Sequence, residues 1–192
     1  LVHRFDRNDA LVLAADVDAR ADPNYQNGGR AGQPDTSYFR LSPTGVLTRI
    51  GARTQPNGIS LSPDGQYLYV FSAEAGGGGI QRHQVAADGS VMTPAMDFSP
   101  LPSDGMAIDC AGNLYLVANG AVTVVSPAGQ QIGQIRGLPS GTDFVTNGAF
   151  GGPQSKTLSI TSAKTLHQIV LDIPGIAELI APDGAARGFR KE

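Results

Sequence analysis

A chain of 192 residues is long enough to bury a core and is typical of one domain. Its 25 glycines and 13 prolines, with only 16% charged residues, favour short strands joined by tight turns and argue against a helical bundle or coiled coil. The formal net charge of −3 offers no basic surface for nucleic acid. No apolar run reaches the roughly 20 residues that span a bilayer, and a lone cysteine, Cys110, excludes an internal disulfide.

The amino-terminal residues 1–21 are set apart as a poorly matching first segment, because residues 16–21 (DVDARA) are a poor strand sequence. It starts at Leu1 and contains neither an initiator methionine nor the charged and then apolar pattern of a secretory signal. We therefore expect a truncated amino terminus and a soluble protein, cytoplasmic or periplasmic, with the compartment left open by the sequence. Residues 1–192 are assigned to a single partial domain, with residues 174–192 as a carboxy-terminal tail.

Turn signals recur at nearly even steps along the chain. Proline fixes φ and glycine supplies the positive φ that tight turns need, and such signals lie at residues 42–45, 62–65, 87–89, 111–113 and 126–129. The segments between them are rich in Val, Ile, Tyr and Phe, as strands prefer. They predict strands at residues 38–41, 58–61, 67–72, 106–109, 114–118, 122–126, 158–161 and 167–171.

The spacing of these turns predicts an all-β protein built from repeated sheets. Two turns in each unit of about 40–45 residues is the period of a four-stranded propeller blade. By that period the chain holds about four blades. A β-sandwich explains the strands equally well but does not explain why two of the units match. An unclosed propeller exposes strand edges, so we also expect self-association through those edges.

Two segments share one pattern of a polar residue, a glycine and a short apolar strand. Asn57 begins the first and Asp104 the second, 47 residues later. Amide and carboxylate oxygens are donors that suit Ca²⁺, Mg²⁺ or Mn²⁺. The ordinary interpretation is a turn at each Asn-Gly or Asp-Gly pair, and the residues alone favour it for Asp104. Asn147 precedes a strand in the same way and is interpreted as a cap for backbone groups, with a ligand or substrate-binding role as the alternative.

At residues 56–70 (PNGISLSPDGQYLYV) the sequence resembles the signature of the gluconolactonase, regucalcin and senescence-marker-protein family. Further motifs of that family are similar to residues 22–26 (DPNYQ), 104–109 (DGMAID) and 146–152 (TNGAFGG), in the same order. Residues 4–9 (RFDRND) resemble a degraded form of another family segment. The resemblance covers most of the chain, from about residue 4 to residue 173.

The resemblance implies a six-bladed propeller with one divalent cation on its axis, held by Glu, Asn and Asp side chains, and a sugar lactone or related small ester as substrate. Position by position, Asn57 and Asp104 would be metal ligands, and Asn8 would match a second Asn near the metal or the substrate, with Asn8 and Asn147 as the candidate substrate-binding residues. Asp104 would also be the catalytic carboxylate that moves a proton. The cation expected first is Ca²⁺, with Mg²⁺, Mn²⁺ or Zn²⁺ as alternatives.

The sequence departs from the family pattern near its start. The family's Glu ligand lies in a first blade that has no counterpart in this sequence, so Asp104 alone supplies negative charge. Ligand charge sets affinity for divalent ions, which leaves activity of this chain uncertain. The alternative function is a non-catalytic propeller fragment that acts as a ligand-binding or scaffold module.

Other catalytic chemistries find little support in the sequence. His3, His83 and His167 lie at no ligand spacing, which argues against a histidine metal site. His83 follows a glycine run and is predicted to lie in a solvated loop, with a loop over the site as the alternative. No Gly-x-Ser-x-Gly segment occurs, and Cys110 has no patterned partner, so a nucleophilic triad is not expected.

Overall fold

The structure is a computed structural model, and it describes residues 2–5, 11–15, 37–42, 44–52, 56–72, 78–139, 144–162 and 164–176. Within these ranges the chain forms β-strands, turns and one short 3₁₀ turn, Pro153–Ser155. The strands lie in four antiparallel sheets, each of which follows chain order from one edge to the other. Consecutive strands therefore pair as hairpins, which is the connection that closely spaced turn signals favour.

The four sheets take their strands in sequence. The first contains β1 (Val2–Phe5), β2 (Leu11–Ala15), β3 (Ser37–Leu41) and β4 (Leu47–Ala52). The second contains β5 (Pro56–Leu61), β6 (Tyr67–Ser72), β7 (Gly79–Gln84) and β8 (Met96–Ser99). The third contains β9 (Met106–Ile108), β10 (Leu114–Ala118), β11 (Ala121–Val125) and β12 (Gln131–Ile135), and the fourth contains β13 (Val145–Gly151), β14 (Thr157–Ser162) and β15 (Leu166–Val170).

The predicted turns connect these strands. Between β5 and β6, the N–H of Gly65 donates to the carbonyl of Ser62 at 2.8 Å, and Gly65 has a φ of 67°. The Ser62 hydroxyl donates to Asp64 Oδ1 at 2.6 Å. A similar bond joins Gly129 to Ser126 between β11 and β12. Glycine is needed at Gly65 because its backbone lies in the left-handed region that other residues rarely adopt.

The core lies between successive sheets. One cluster packs the first sheet against the second and another the second against the third, while a third fills the space between the third and fourth sheets. Strands buried on both faces read as nearly continuous apolar runs, and β6 and β10 have this character. The fully buried side chains include Ile59, Leu68, Ile80, Met106, Ile108, Leu114, Leu116, Leu158 and Ile160.

The first strands of the sheets are neighbours. β1 contacts β5, β5 contacts β9, and β9 contacts β13. Sheets that meet along their first strands and pack face to face are blades arranged around a common axis, which is the β-propeller architecture. The predicted fold class, an all-β propeller with about four blades present, is confirmed, and the sandwich alternative is wrong.

The sequence predictions for the two ends of the chain can be compared with the structure where it is described. β1 and β2 form strands within the segment that matches poorly, and both pack against β5. In the predicted tail, Gly175 forms a bridge with Asp109, and residues 177–192 lie outside the described residues. The domain boundaries stay predictions. So does self-association, because the structure describes a single chain.

His83 lies in a different environment from the predicted loop. It belongs to β7, and its side chain is 2% exposed. Its Nε2 lies 2.7 Å from the Tyr38 hydroxyl, and its Nδ1 lies 2.9 Å from the carbonyl of Met92. The prediction of a solvated loop is wrong because β7 pairs with β6 directly after the glycine run, and His83 then faces the first sheet.

Candidate functional site

Three polar side chains occur where the first strands of three successive sheets begin. Asn57 is the second residue of β5, Asp104 lies two residues before β9, and Asn147 is the third residue of β13. We call Asn57, Asp104 and Asn147 the polar trio. Because β5, β9 and β13 are neighbours around the propeller axis, the same end of each strand brings the trio to one end of the molecule.

A hydrogen bond between two blades joins the first two members of the trio. Asn57 Nδ2 donates to Asp104 Oδ1 at 2.6 Å, across 47 residues of sequence. Both residues are half-buried. A hydrogen bond to a carboxylate is shorter and stronger than one between neutral groups. This contact therefore fixes the orientation of the Asp104 carboxylate relative to the neighbouring blade.

The backbone around Asp104 is held from two sides. The N–H of Asp104 donates to the carbonyl of Val117 at 2.8 Å, which continues the pairing of β9 with β10 beyond the strand itself. The N–H of Gly105 donates to the carbonyl of Thr146 in the fourth sheet at 2.7 Å. The buried hydroxyl of Ser103 donates to the carbonyl of Gly105, also at 2.7 Å. Asp104 is thus attached to its own blade and to the next.

Asn147 lies against the backbone that follows Asp104. The side-chain amide of Asn147 occupies the space in which Gly105 would carry a Cβ, and the Asn147 Cα is 2.9 Å from that position. Its Oδ1 accepts a hydrogen bond from the N–H of Gly148 at 2.8 Å. Asn147 is exposed, unlike the other two members of the trio. The capping interpretation of Asn147 agrees with this local hydrogen bond.

Local irregularities in the sheets aim two of these side chains. The register of β5 against β6 shifts between Pro56 and Ile59, so Asn57 lies inside the irregularity. The register of β13 against β14 shifts between Val145 and Asn147. Bulges of this kind redirect a side chain and are common beside functional sites. A turn at the Asn57-Gly58 pair, the ordinary interpretation of that dipeptide, is not what the chain forms.

The donor chemistry of the polar trio fits a hard divalent cation. It offers one carboxylate and two amide groups, the ligand types that Ca²⁺ and Mg²⁺ prefer. Among the residues that the structure describes, there is no group of three or more His, Cys, Asp or Glu side chains that could hold a metal ion. Asp104 is the ionisable member of the trio, so the trio would contribute a single formal negative charge to a bound ion. Asn8, the remaining predicted site residue, lies outside the described residues.

Asp109 lies at the opposite end of β9 and has a structural role. Its buried carboxylate accepts hydrogen bonds from the N–H groups of Ala111 and Asn113 at 3.0 and 2.9 Å. It also accepts from Asn113 Nδ2 at 2.8 Å and from the Tyr115 hydroxyl at 3.2 Å. Burial, together with the neighbouring Asp109 carboxylate, raises the pKa of Tyr115 to about 12.

Sequence reasoning missed two kinds of residue at the site. Ser103 is 2% exposed and positions the peptide that follows Asp104, but a serine in a loop gives no signal of burial. The glycines after each member of the trio, Gly58, Gly105 and Gly148, belong to a pattern that the sequence displays, but the sequence gives no role for the glycines themselves. The same polar-glycine dipeptide begins three strands in three blades.

Comparisons with known proteins agree with the fold and with the family resemblance of the sequence. A sequence profile of the SMP-30/Gluconolactonase/LRE-like region matches residues 5–164, which is most of the chain. The chain belongs to this family. A gluconolactonase of Zymomonas mobilis is 33% identical over 144 residues, which cover 69% of this chain and 38% of the relative. The pentonolactonase XacC of Haloferax volcanii is 28% identical over 149 residues, with 73% of this chain and 47% of the relative covered.

A solved structure gives the same assignment. A gluconolactonase from Xanthomonas campestris superposes with a TM-score of 0.72 at 25% identity, over 90% of this chain and 56% of that protein. The chain thus spans about half the length of the relatives it matches, or less. Among the described residues, no helix is both long enough and apolar enough to cross a membrane.

Proposed function

We propose that this chain carries part of the cation-binding centre of a sugar-lactone hydrolase. The observation that carries the proposal is the hydrogen bond between Asn57 and Asp104, which joins two blades at the end of the propeller where the polar trio lies. Membership of a family whose matched relatives include a gluconolactonase and a pentonolactonase supports the substrate class. A sugar lactone or a related sugar-derived ester is the proposed small-molecule partner.

Asn57 and Asp104 would hold a divalent cation, and Asn147 would contact the substrate beside it. A cation bound there supplies polarisation of the lactone carbonyl and a lowered pKa for bound water. Asp104 is the proposed proton acceptor, since it is the carboxylate of the trio and Asn57 already fixes its orientation. In the overall reaction, the oxygen of water bonds to the carbonyl carbon, the ring C–O bond breaks, and the ring oxygen receives a proton. The product is a hydroxy acid.

The proposal predicts that lactone hydrolysis depends on both the cation and Asp104. Acid release from five- and six-membered sugar lactones would be measured with the purified chain in a pH-stat, after chelation and then with Ca²⁺, Mn²⁺ or Zn²⁺ added back. We expect activity only with a cation, and none with Asp104→Asn, which keeps the size of the side chain and removes its charge. Equal activity of the chelated protein or of Asp104→Asn would contradict the proposal.

A second candidate function rests on the charge of the site. The trio contributes one carboxylate, where the family resemblance implies two acidic ligands, and low ligand charge weakens divalent-ion affinity. A chain that binds the cation or a lactone but releases no acid would be a ligand-binding module instead. Isothermal calorimetry with Ca²⁺ and with a slowly hydrolysed lactone, run beside the pH-stat assay, separates this function from the enzymatic one.

A further inference from the structure

Each member of the polar trio is followed by a glycine, and the backbone conformation does not explain this. Gly58, Gly105 and Gly148 all have φ values outside the left-handed range in which glycine is favoured. Glycine within or beside a strand weakens the strand, and it often marks a place where another segment approaches closely. The requirement at these positions is therefore one of space.

At Gly58, the space is taken by the backbone of the next blade. A Cβ added to Gly58 would lie 2.7 Å from the carbonyl oxygen of Asp104 and 3.0 Å from the Met106 side chain. Real Cβ atoms essentially never lie closer than 3.0 Å to another heavy atom, and a backbone oxygen cannot rotate away as a side chain can. An alanine at Gly58 must therefore push Asp104 away from β5, and the 2.6 Å bond from Asn57 depends on that approach.

At Gly105, the space is taken by the third member of the trio. A Cβ there would overlap the side-chain amide of Asn147 and approach its Cα to 2.9 Å. The amide is exposed and could turn, but the Cα can move only if the backbone does. That movement would strain the 2.7 Å bond between the Gly105 N–H and the Thr146 carbonyl. Gly148 differs, because its Cβ would meet the side chain of Val117 at 3.1 Å, which is a core contact.

We propose that Gly58 and Gly105 are positioning residues, whose missing side chains set how closely Asn57, Asp104 and Asn147 approach one another. The consequence for cation binding rests on the function proposed above. Binding constellations must be held to within about 0.5 Å of the productive geometry. A displacement of a few tenths of an ångström between blades would therefore weaken the site while the propeller still folds.

A matched control separates positioning from general damage to the fold. Gly79 also lacks a positive φ, and a Cβ added there would lie 2.8 Å from the carbonyl oxygen of Ser99, nearly the same clash as at Gly58. It lies on β7, separated from β5 by β6. Gly79→Ala therefore imposes a comparable steric conflict within the second sheet, away from the contacts between the first strands.

The first measurement is a calorimetric titration of Ca²⁺ into the wild type and the three alanine variants, with urea unfolding in the absence of cation. We expect Gly58→Ala and Gly105→Ala to bind Ca²⁺ at least about 10-fold more weakly, the range seen when supporting partners of a metal site are removed. Gly79→Ala should stay within about twofold of the wild type, because β6 separates Gly79 from β5 and no member of the trio takes part in its clash. Unchanged affinity in the first two variants, or an equal loss in all three, would overturn the proposal.

The second measurement needs no cation. The side-chain amide signals of Asn57 and Asn147 would be followed by ¹⁵N NMR in the cation-free proteins. Gly58→Ala should shift the Asn57 signal and Gly105→Ala the Asn147 signal, whereas Gly79→Ala should leave both in place. If the wild type binds no Ca²⁺, the proposed function fails, and these signals still decide the positioning role. Signals unchanged in both site variants would refute it.

A double variant covers the case in which Gly105→Ala does not fold. Asn147→Ala removes the amide that a Cβ at residue 105 would overlap. If the overlap is the cause, Gly105→Ala combined with Asn147→Ala should fold even where Gly105→Ala alone does not; where both fold, the double variant should be the more stable, a non-additive result that a mutant cycle detects. Simple additivity of the two changes would contradict the assigned contact.

Discussion

The two ends of β9 carry two aspartates with opposite surroundings. Asp104 lies before the strand, is half-buried and is tied to the neighbouring blade through Asn57. Asp109 lies directly after the strand, is fully buried and is tied to its own turn by four hydrogen bonds from Ala111, Asn113 and Tyr115. Only Gly105 and the three apolar residues of β9 separate the two aspartates.

The comparison leads to a hypothesis: one end of this short strand serves stability, and the other serves the proposed cation site. At Asp109 every hydrogen bond described for the carboxylate comes from a residue close in sequence, so the carboxylate closes the turn that starts β10. At Asp104 the carboxylate accepts a hydrogen bond from a residue 47 positions away in sequence. This bond therefore depends on how the two blades pack against each other. Loss of Asp109 should therefore change folding, and loss of Asp104 should change binding. The following predictions test this division.

The largest expected effect is on cation binding in Asp104→Ala. We expect Ca²⁺ affinity to fall at least about 100-fold, the upper end of the loss seen for outer partners of a metal site, because the charged oxygen donor itself is removed. The half-buried position should limit the loss of unfolding free energy to about 1 kcal/mol. Calorimetry and urea unfolding measure the two quantities. If Asp104→Ala bound Ca²⁺ as tightly as the wild type, the proposed role of Asp104 in cation binding would be wrong.

Asp109→Ala should show the reverse pattern. Removal of a buried acceptor leaves the N–H groups of Ala111 and Asn113 without their partner, and we expect a loss of about 2–4 kcal/mol in unfolding free energy. Asp109→Asn keeps one acceptor oxygen and should lose about half as much. Urea unfolding at pH 7 gives these values. The Ca²⁺ affinity of the folded Asp109 variants should not change. A loss of affinity as large as that of Asp104→Ala would contradict the assignment of Asp109 to stability and of Asp104 to binding.

The smallest effect is expected from Tyr115→Phe, which removes the hydroxyl that donates to Asp109. A loss of about 0.5–1.5 kcal/mol is expected at pH 8. The pKa of Tyr115 is raised to about 12 in the folded protein, above its ordinary value of 10.0. The folded state therefore holds this proton more tightly, and the stability it contributes is full below pH 10 and is lost as the pH rises from 10 to 12.

The pH dependence gives this prediction its control. Urea unfolding of wild type and Tyr115→Phe between pH 8 and pH 12 should show the difference between the two proteins shrinking above pH 10. Tyr69, whose pKa burial also raises, is present in both proteins and so does not affect the difference. If the difference in unfolding free energy between the two proteins stayed constant to pH 12, the pKa of Tyr115 would not be raised in the folded state.

The central strands could be predicted from sequence because their signals are local. β6 and β10 coincide with their predicted bounds, since alternating turn residues and Val-, Tyr- and Leu-rich runs fix where each begins and ends. The strands that were not predicted, such as β7 (Gly79–Gln84) and β12 (Gln131–Ile135), are polar and glycine-containing. Such strands form because a neighbour supplies the hydrogen bonds, which no local pattern records.

The sequence by itself determined the class of fold, the family and the identity of three candidate site residues, because turn chemistry, strand composition and a repeated polar-glycine pattern are all local properties. Only the tertiary structure decided which atoms meet. Asn57 and Asp104 are 47 residues apart, and their contact exists because β5 and β9 become neighbours when successive sheets pack. The need for glycine at Gly58 and Gly105 was likewise invisible, since it depends on the atoms that the next blade places against them.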